Sequence, residues 1–191
     1  MAQVLSYVST KAMAARLMLK TGKSEAADSH LLQLEKATRG LFVDVRQAVL
    51  GLRAAGDIGG CLGATLQDFA VQFSQLSDIP VEVHIAPEAE DLDLPAETEL
   101  QLLRIMQEAL TNVRKHAAAR KAAVNLQVID GALTLAITDD GVGFDSDCSR
   151  SKIQHQFGLS TMQERAEAID AEFELESAPG AGTHIKVRLP T

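Results

Sequence analysis

The sequence has little cysteine, no surplus of basic residues and no long apolar run. Its two cysteines, Cys61 and Cys148, stand far apart and flank no metal-ligand spacing. A disulfide-built secreted module would carry more of them, so the pair points to a reducing, cytoplasmic setting. Lys and Arg number 18 against 26 Asp and Glu, for a formal net charge of -8. That balance disfavours direct nucleic-acid binding, which needs clustered cations to meet phosphate. It leaves room for a nucleotide held by local donors and a metal ion. No run of about 18 apolar residues occurs, so no segment is predicted to span a membrane. Residues 1–7 also lack the basic start and apolar stretch of a signal peptide, and neither internal repeats nor low-complexity segments occur.

What is there is ordinary globular material: 191 residues, 46% apolar and 23% charged, enough for one domain and a smaller appendage. From Met1 to Lys20, apolar or small residues recur at Met1, Leu5, Val8, Ala12, Ala15 and Leu19. The alternating steps of three and four predict a helix with a coiled-coil-like seam. Thr21-Gly22-Lys23-Ser24 breaks it. A second seam, Leu31, Leu34, Thr38, Leu41, Val45, Ala48 and Leu52, predicts a helix from Glu25 to Ala55. Two such helices joined by a short connection form an antiparallel hairpin. A lone hairpin buries little surface, so the expectation is a homodimer in which two copies build a four-helix bundle; packing on the downstream domain is the alternative.

Gly56-Asp57-Ile58-Gly59-Gly60 reads as the linker, dividing residues 1–56 from a domain at 57–191. Beyond it the pattern predicts a helix over Cys61–Leu76 and a half-buried strand at Val81–Ile85. An acidic loop follows at Glu88–Asp93, then a long helix from Pro95 to Ala118 with proline in its first turn. Strands at Ala122–Ile129 and Leu133–Thr138 are joined by the hairpin signal Asp130-Gly131. A helix at Leu159–Asp170 and strands at Glu172–Glu176 and Thr183–Leu189 close the chain. The fold class expected is α+β, a helical hairpin followed by a two-layer α/β sandwich with a largely antiparallel sheet.

Four stretches carry candidate chemistry. In Gln107-Glu108-Ala109-Leu110-Thr111-Asn112-Val113-Arg114-Lys115-His116, helical spacing places Glu108, Asn112, Lys115 and His116 on one face, with Leu102, Ile105, Ala109 and Val113 on the core side. A carboxylate can take a proton, an amide oxygen can hold Mg²⁺ and an ammonium can meet phosphate, although a solvated polar face would look the same. Asp139-Asp140-Gly141-Val142-Gly143 follows a strand: the glycines allow close approach to a flat ligand, and Asp139 can accept from an exocyclic amine such as that of adenine. Many hairpins contain Asp-Gly as well. His155-Gln156-Phe157-Gly158-Leu159 ends a polar stretch, Asp145–Gln156, at a helix start, where free N–H groups favour phosphate. That stretch reads as a nucleotide lid or an ordinary surface loop. Pro179-Gly180-Ala181-Gly182-Thr183 is a hairpin turn whose Thr183 hydroxyl can support Asp139 directly or through water.

The order and spacing of these stretches resemble the asparagine box and three glycine boxes of the ATP-binding superfamily of gyrase, heat-shock chaperone, histidine kinase and mismatch-repair ATPase (GHKL), over Leu94–Pro190. Gln-Glu-Ala-Leu-Thr-Asn-x-x-Lys-His-Ala with His-x-Phe-Gly-Leu-x-x-Met-x-Glu-Arg-Ala is similar to the nitrate-sensor branch of sensor histidine kinases. Ala2–Tyr7 resembles the residues after that branch's Leu-His-Asp phosphoacceptor motif. Asp44-Val45-Arg46-Gln47 and Gly51-Leu52-Arg53 resemble the close of its second dimerisation helix. The resemblance implies Mg-ATP with Asp139 on the adenine amine and Asn112 on the metal. Gly141 and Gly143 would shape the base pocket, Lys115 and the amides near Gly158 would meet the phosphates, and His116 and Leu159 would also belong to the nucleotide site. Glu108 would take the proton of an attacking histidine, and the phosphoryl group would pass to a response-regulator aspartate, the regulator carrying a helix-turn-helix output domain. Two departures stand out: the chain holds no His-Asp phosphoacceptor, so it is expected not to autophosphorylate, and Gln156 occupies the place of a glycine common in the third box. His30 and His84 read as surface or packing residues, while His116, His155 and His184 lie in the nucleotide box, the lid and the last strand. A full-length protein anchored in a membrane is compatible with this reading. The alternative is a GHKL-type ATPase in which Glu108 activates water.

Overall fold

The computed structural model describes residues 2–54, 62–145 and 153–190. The chain divides into two compact units, Met1–Leu50 and Gly51–Thr191.

The first unit contains helix α1 (Ala2–Lys20) and all but the last turn of α2 (Ser24–Ala54). The turn between them closes α1 by a pair of reaching-back bonds. Lys23 N–H donates to the Met18 carbonyl at 3.0 Å and Gly22 N–H to that of Leu19 at 3.2 Å. Gly22 takes the left-handed conformation this cap requires, with φ of +72°. Ala15 and Ala27 are buried, whereas Met13, Leu17, Leu19, Leu31, Leu32 and Val45 are exposed. The predicted seam positions Leu19, Leu31 and Val45 are thus open on a single copy.

The second unit is two-layered. Strands β1 (Val81–Ile85), β2 (Ala122–Ile129), β3 (Ala132–Asp139), β4 (Glu172–Ser177) and β5 (Thr183–Pro190) form one sheet in the order β1-β2-β3-β5-β4. β1 runs parallel to β2, and the remaining neighbours are antiparallel. Asp130 and Gly131, at φ of +50° and +73°, make the β2–β3 turn, as the Asp-Gly pair dictates. Helices α3 (Leu62–Ser77), α5 (Ala96–Asn112) and α6 (Ile153–Glu167) supply the other layer, with α4 (Pro87–Glu90) a single turn between β1 and α5. Period-2 alternation sends Val124, Leu126, Leu133, Leu135, Ile137, Ile185 and Val187 into one core with Phe73, Leu66, Leu102, Met106, Leu110 and Met162 from the helices. Helix α5 packs against both α3 and α6, so it lies at the centre of its layer.

Three local expectations change. The acidic loop begins with the helical turn α4, where Pro87 sits at the helix start and Ala89 is buried, and Leu92 and Leu94 pack against the core beyond it. Pro95 caps α5 from outside, its ψ of 139° being extended. The helix also does not run evenly to Ala118: its last turn widens into a π-helical turn, Val113–Ala117, ended by Ala118 at φ of +48°. Cys61, Cys148 and the glycine linker lie outside the described residues. Among those described, no helix is long and apolar enough to cross a membrane.

Phe73 is almost fully buried in this core. Phe73→Ala is expected to lower the unfolding free energy by about 3–5 kcal/mol, read from urea denaturation midpoints; a loss below about 1 kcal/mol would show that α3 does not pack as described.

Candidate functional site

Helix α5 carries two stripes. Leu102, Leu103, Ile105, Met106, Ala109 and Leu110 are buried, and this anchorage fixes the direction in which Glu108 and Asn112 project. The π-helical turn then presents Lys115 and His116 at the exposed rim and buries Val113 and Ala117. A cavity of ≈ 340 Å³ opens over this face, lined by Glu108, Asn112, Lys115, His116, Asp139, Gly143, Gly158, Leu159 and Thr183 among others. Its size suits a small-molecule ligand. Nine of the ten residues picked out from the sequence therefore meet at one place.

Asp139 ends strand β3, paired with Ala122 on one side and Thr183 on the other. Its Oδ1 accepts the Gly141 N–H at 2.8 Å. Burial pushes the Asp139 carboxyl above the usual aspartate value; hydrogen bonds from Gly141 and from Thr183, side chain and backbone, pull it back, and the neighbouring Asp140 charge raises it. The outcome is a desolvated carboxylate with preset orientation. Asp140 points elsewhere. Its Oδ1 accepts the backbone N–H of Arg120 at 2.8 Å and of Lys121 at 3.0 Å, and these bonds, Lys121's first, hold its carboxyl below the usual value. With Val142 N–H donating to the Ala117 carbonyl at 2.7 Å, Asp140 stitches the glycine loop to the end of α5.

Gly141, the tenth residue, does not line the cavity. A Cβ there would meet the Ala117 carbonyl and the Asp139 carboxylate, so this glycine lets the backbone come close enough to bond Asp139. Gly143 does line it, at φ of +58°, and a Cβ would strike the Ala178 carbonyl. Both glycines are thus required by loop-on-loop packing as much as by any ligand.

The expectation of a helix start at Gly158 is corrected. Helix α6 begins at Ile153, so Gly158 and Leu159 lie in its second turn and the turn at Gly158 is not a free N-terminus. The predicted lid is divided: 146–152 lie outside the described residues and Ile153–Gln156 are helical. Gln156 is the physical reason, since no glycine or proline interrupts the chain between Ile153 and Gly158, and one interior glycine costs a helix only about 1 kcal/mol. At Gly158 the helix passes close over α5, where a Cβ would meet the Glu108 carboxylate and lie 3.5 Å from Asn112 Nδ2.

Sequence reasoning missed several lining residues. Ile137 and Ile185 flank Asp139 and Thr183 at a spacing of two, on the same face of their strands, and both line the cavity; strand alternation could have found them. Thr111 and Phe144 line it too. Ser177 does not line the cavity but accepts the Phe144 N–H behind it, and no local sequence signal marks it.

The raised Asp139 ionisation has a consequence for stability. The folded protein keeps this proton at a pH where the unfolded chain, near 3.8, has released it. Its contribution is therefore full below that value and is lost as pH rises through the folded one. Stability measured by denaturant titration, wild type minus Asp139→Asn, should fall as pH rises across this window; a rise would mean that hydrogen bonding outweighs burial.

Residues 97–191 match the family described as Histidine kinase-, DNA gyrase B-, and HSP90-like ATPase. Sensor protein VraS of Staphylococcus aureus strain COL is 33% identical over 187 residues, covering 96% of this chain and 52% of that protein. The VraS of a Staphylococcus epidermidis strain gives the same identity and coverage. The chain thus spans about half the length of these curated relatives. Among solved structures, the histidine kinase domain of a blue-light-activated histidine kinase from Erythrobacter litoralis superposes with a TM-score of 0.60 at 18% identity, over 100% of this chain and 94% of that one. Acinetobacter baumannii histidine kinase AdeS gives 0.53 at 14% identity, over 97% and 96%. These two likenesses concern the fold. Through its matched domain the chain belongs to the histidine kinase-, DNA gyrase B- and HSP90-like ATPase family, and nearly its whole length is homologous to sensor histidine kinases.

Proposed function

We propose that this chain is the ATP-binding catalytic core of a two-component sensor histidine kinase, with residues 1–56 as a dimerisation hairpin and 57–191 as the catalytic domain. The observation that carries the reading is the convergence of Glu108, Asn112, Asp139 and Thr183 on one cavity. The half-buried Asp139 carboxylate accepts from the exocyclic amine of adenine, between the apolar walls of Ile137 and Ile185, while Lys115 and His116 at the rim meet the phosphates.

Magnesium fits the donor set in a particular way. Among the described residues no group of three or more His, Cys, Asp or Glu could hold a metal, so these residues build no all-protein cage. Asn112 offers a hard amide oxygen, and Mg²⁺ takes few protein ligands when phosphates and water complete its shell. Bound there, the ion would neutralise phosphate charge. Phosphoryl transfer depends mainly on positioning and charge, and the residues present supply both. Glu108 accepts the proton that leaves a histidine imidazole as its nitrogen attacks the γ-phosphorus and ADP departs; the phosphoryl group then passes to an aspartate of a response regulator, one with a helix-turn-helix output domain. The exposed Leu17, Leu19, Leu31 and Val45 support a second copy as the partner of the hairpin, and the kinase core acts on the cytoplasmic side.

Isothermal titration calorimetry tests the assignment. Asn112→Ala is expected to abolish measurable Mg-ATP affinity, and unchanged affinity would remove the metal role of Asn112. With radiolabelled ATP no acid-labile label should accumulate on this chain, for want of the Leu-His-Asp motif; label on it would show that another histidine serves, and steady release of phosphate would favour water activation by Glu108. Light scattering should give a dimer that Leu31→Glu converts to monomer, and a wild-type monomer would exclude the bundle.

A further inference from the structure

We propose that Ser177 is a positioning residue that aims the Asp139 carboxylate at the exocyclic amine of adenine; the inference rests on the nucleotide reading above. Ser177 ends strand β4 directly opposite Thr183, and Thr183 lies opposite Asp139 on β3. The three side chains form one transverse rung across the sheet end, with Thr183 in the middle.

The hydroxyl of Ser177 joins three segments. It accepts the Phe144 N–H at 3.0 Å, so it holds the far end of the glycine loop. It donates to the Gly182 carbonyl at 2.8 Å, and its oxygen lies 3.2 Å from Thr183 Oγ1. Thr183 in turn hydrogen-bonds Asp139 through both its side chain and its backbone. A carboxylate only accepts, so the Thr183 hydroxyl proton goes to Asp139. The Thr183 oxygen is then left as an acceptor facing Ser177, which shares its single proton between Thr183 and Gly182. With the Ser177 hydroxyl in place, the Thr183 rotor is settled and so is the direction of the Asp139 lone pairs. Removing it leaves a half-buried Phe144 N–H without its acceptor and frees Thr183 to turn its proton away.

This role predicts a ligand-dependent effect that general loosening of the fold would not give. The probes are ATP and purine riboside triphosphate, which lacks the 6-amino group, titrated with magnesium into the full chain. Wild type should bind ATP more tightly than the analogue. In Ser177→Ala, ATP affinity should fall about tenfold while affinity for the analogue changes less than about twofold. The Ser177→Thr and Ser177→Val pair, equal in shape but differing in the hydroxyl, gives the same comparison if the alanine variant unfolds: threonine should retain the preference for ATP and valine should lose it. Equal losses for both nucleotides, or a valine variant with the wild-type preference, would overturn the role of Ser177 while leaving the site intact. A wild type that binds both nucleotides equally would overturn the Asp139–amine contact itself, and this proposal with it.

Discussion

A carboxylate kept half out of water at the end of a central strand is the constraint on which the rest of this domain depends. Ionised carboxylates resist burial, and Asp139 is held in place only because Gly141 and Thr183 bring donors to it. Each donor imposes a condition in turn. The Gly141 amide reaches Asp139 only if residue 141 has no side chain, because the Ala117 carbonyl lies where a Cβ would be. Thr183 reaches it only if β5 pairs with β3 in the observed register; a slip of one residue would turn its hydroxyl to the opposite face. The glycine loop, the end of α5 and the β4–β5 turn are therefore three parts of one support.

Helix α5 couples this support to the opposite wall. Its buried stripe is locked into the core and its polar stripe carries Glu108 and Asn112 into the cavity. The π-helical turn brings Ala117 to the glycine loop, where Val142 and Gly141 close on it, and Asp140 ties down the two residues that lead into β2. Distance across the cavity is thereby set by backbone contacts rather than by the side chains that would touch a ligand. Such a scaffold suits a reaction whose catalysis lies in positioning.

Much of this was legible because it follows from short periodicities and local chemistry. Alternation located Val81–Ile85, Asp130-Gly131 specified the hairpin between the next two strands, and helical spacing put Glu108 and Asn112 on one face. The details that escaped were those decided by contacts distant in sequence. Nothing local distinguishes Ser177 from other serines at strand ends; its meaning comes from the tight turn that sets it opposite Thr183. The π-helical turn arises where the chain must leave α5 and meet the glycine loop, a demand invisible in Val113–Ala117 alone. At Gly158 the motif resembles a helix start, yet the residues before it, free of glycine and proline, extend the helix to Ile153.

Under the proposed function, nucleotide enters between α5 and the ends of β3 and β5. Amide chemical-shift mapping during titration with magnesium and a non-hydrolysable ATP analogue tests it most directly. The largest shifts are expected at Asn112, Asp139, Gly141, Gly143 and Thr183. Shifts confined to the outer strand positions around Lys186 and Arg188, with those five residues unmoved, would contradict it.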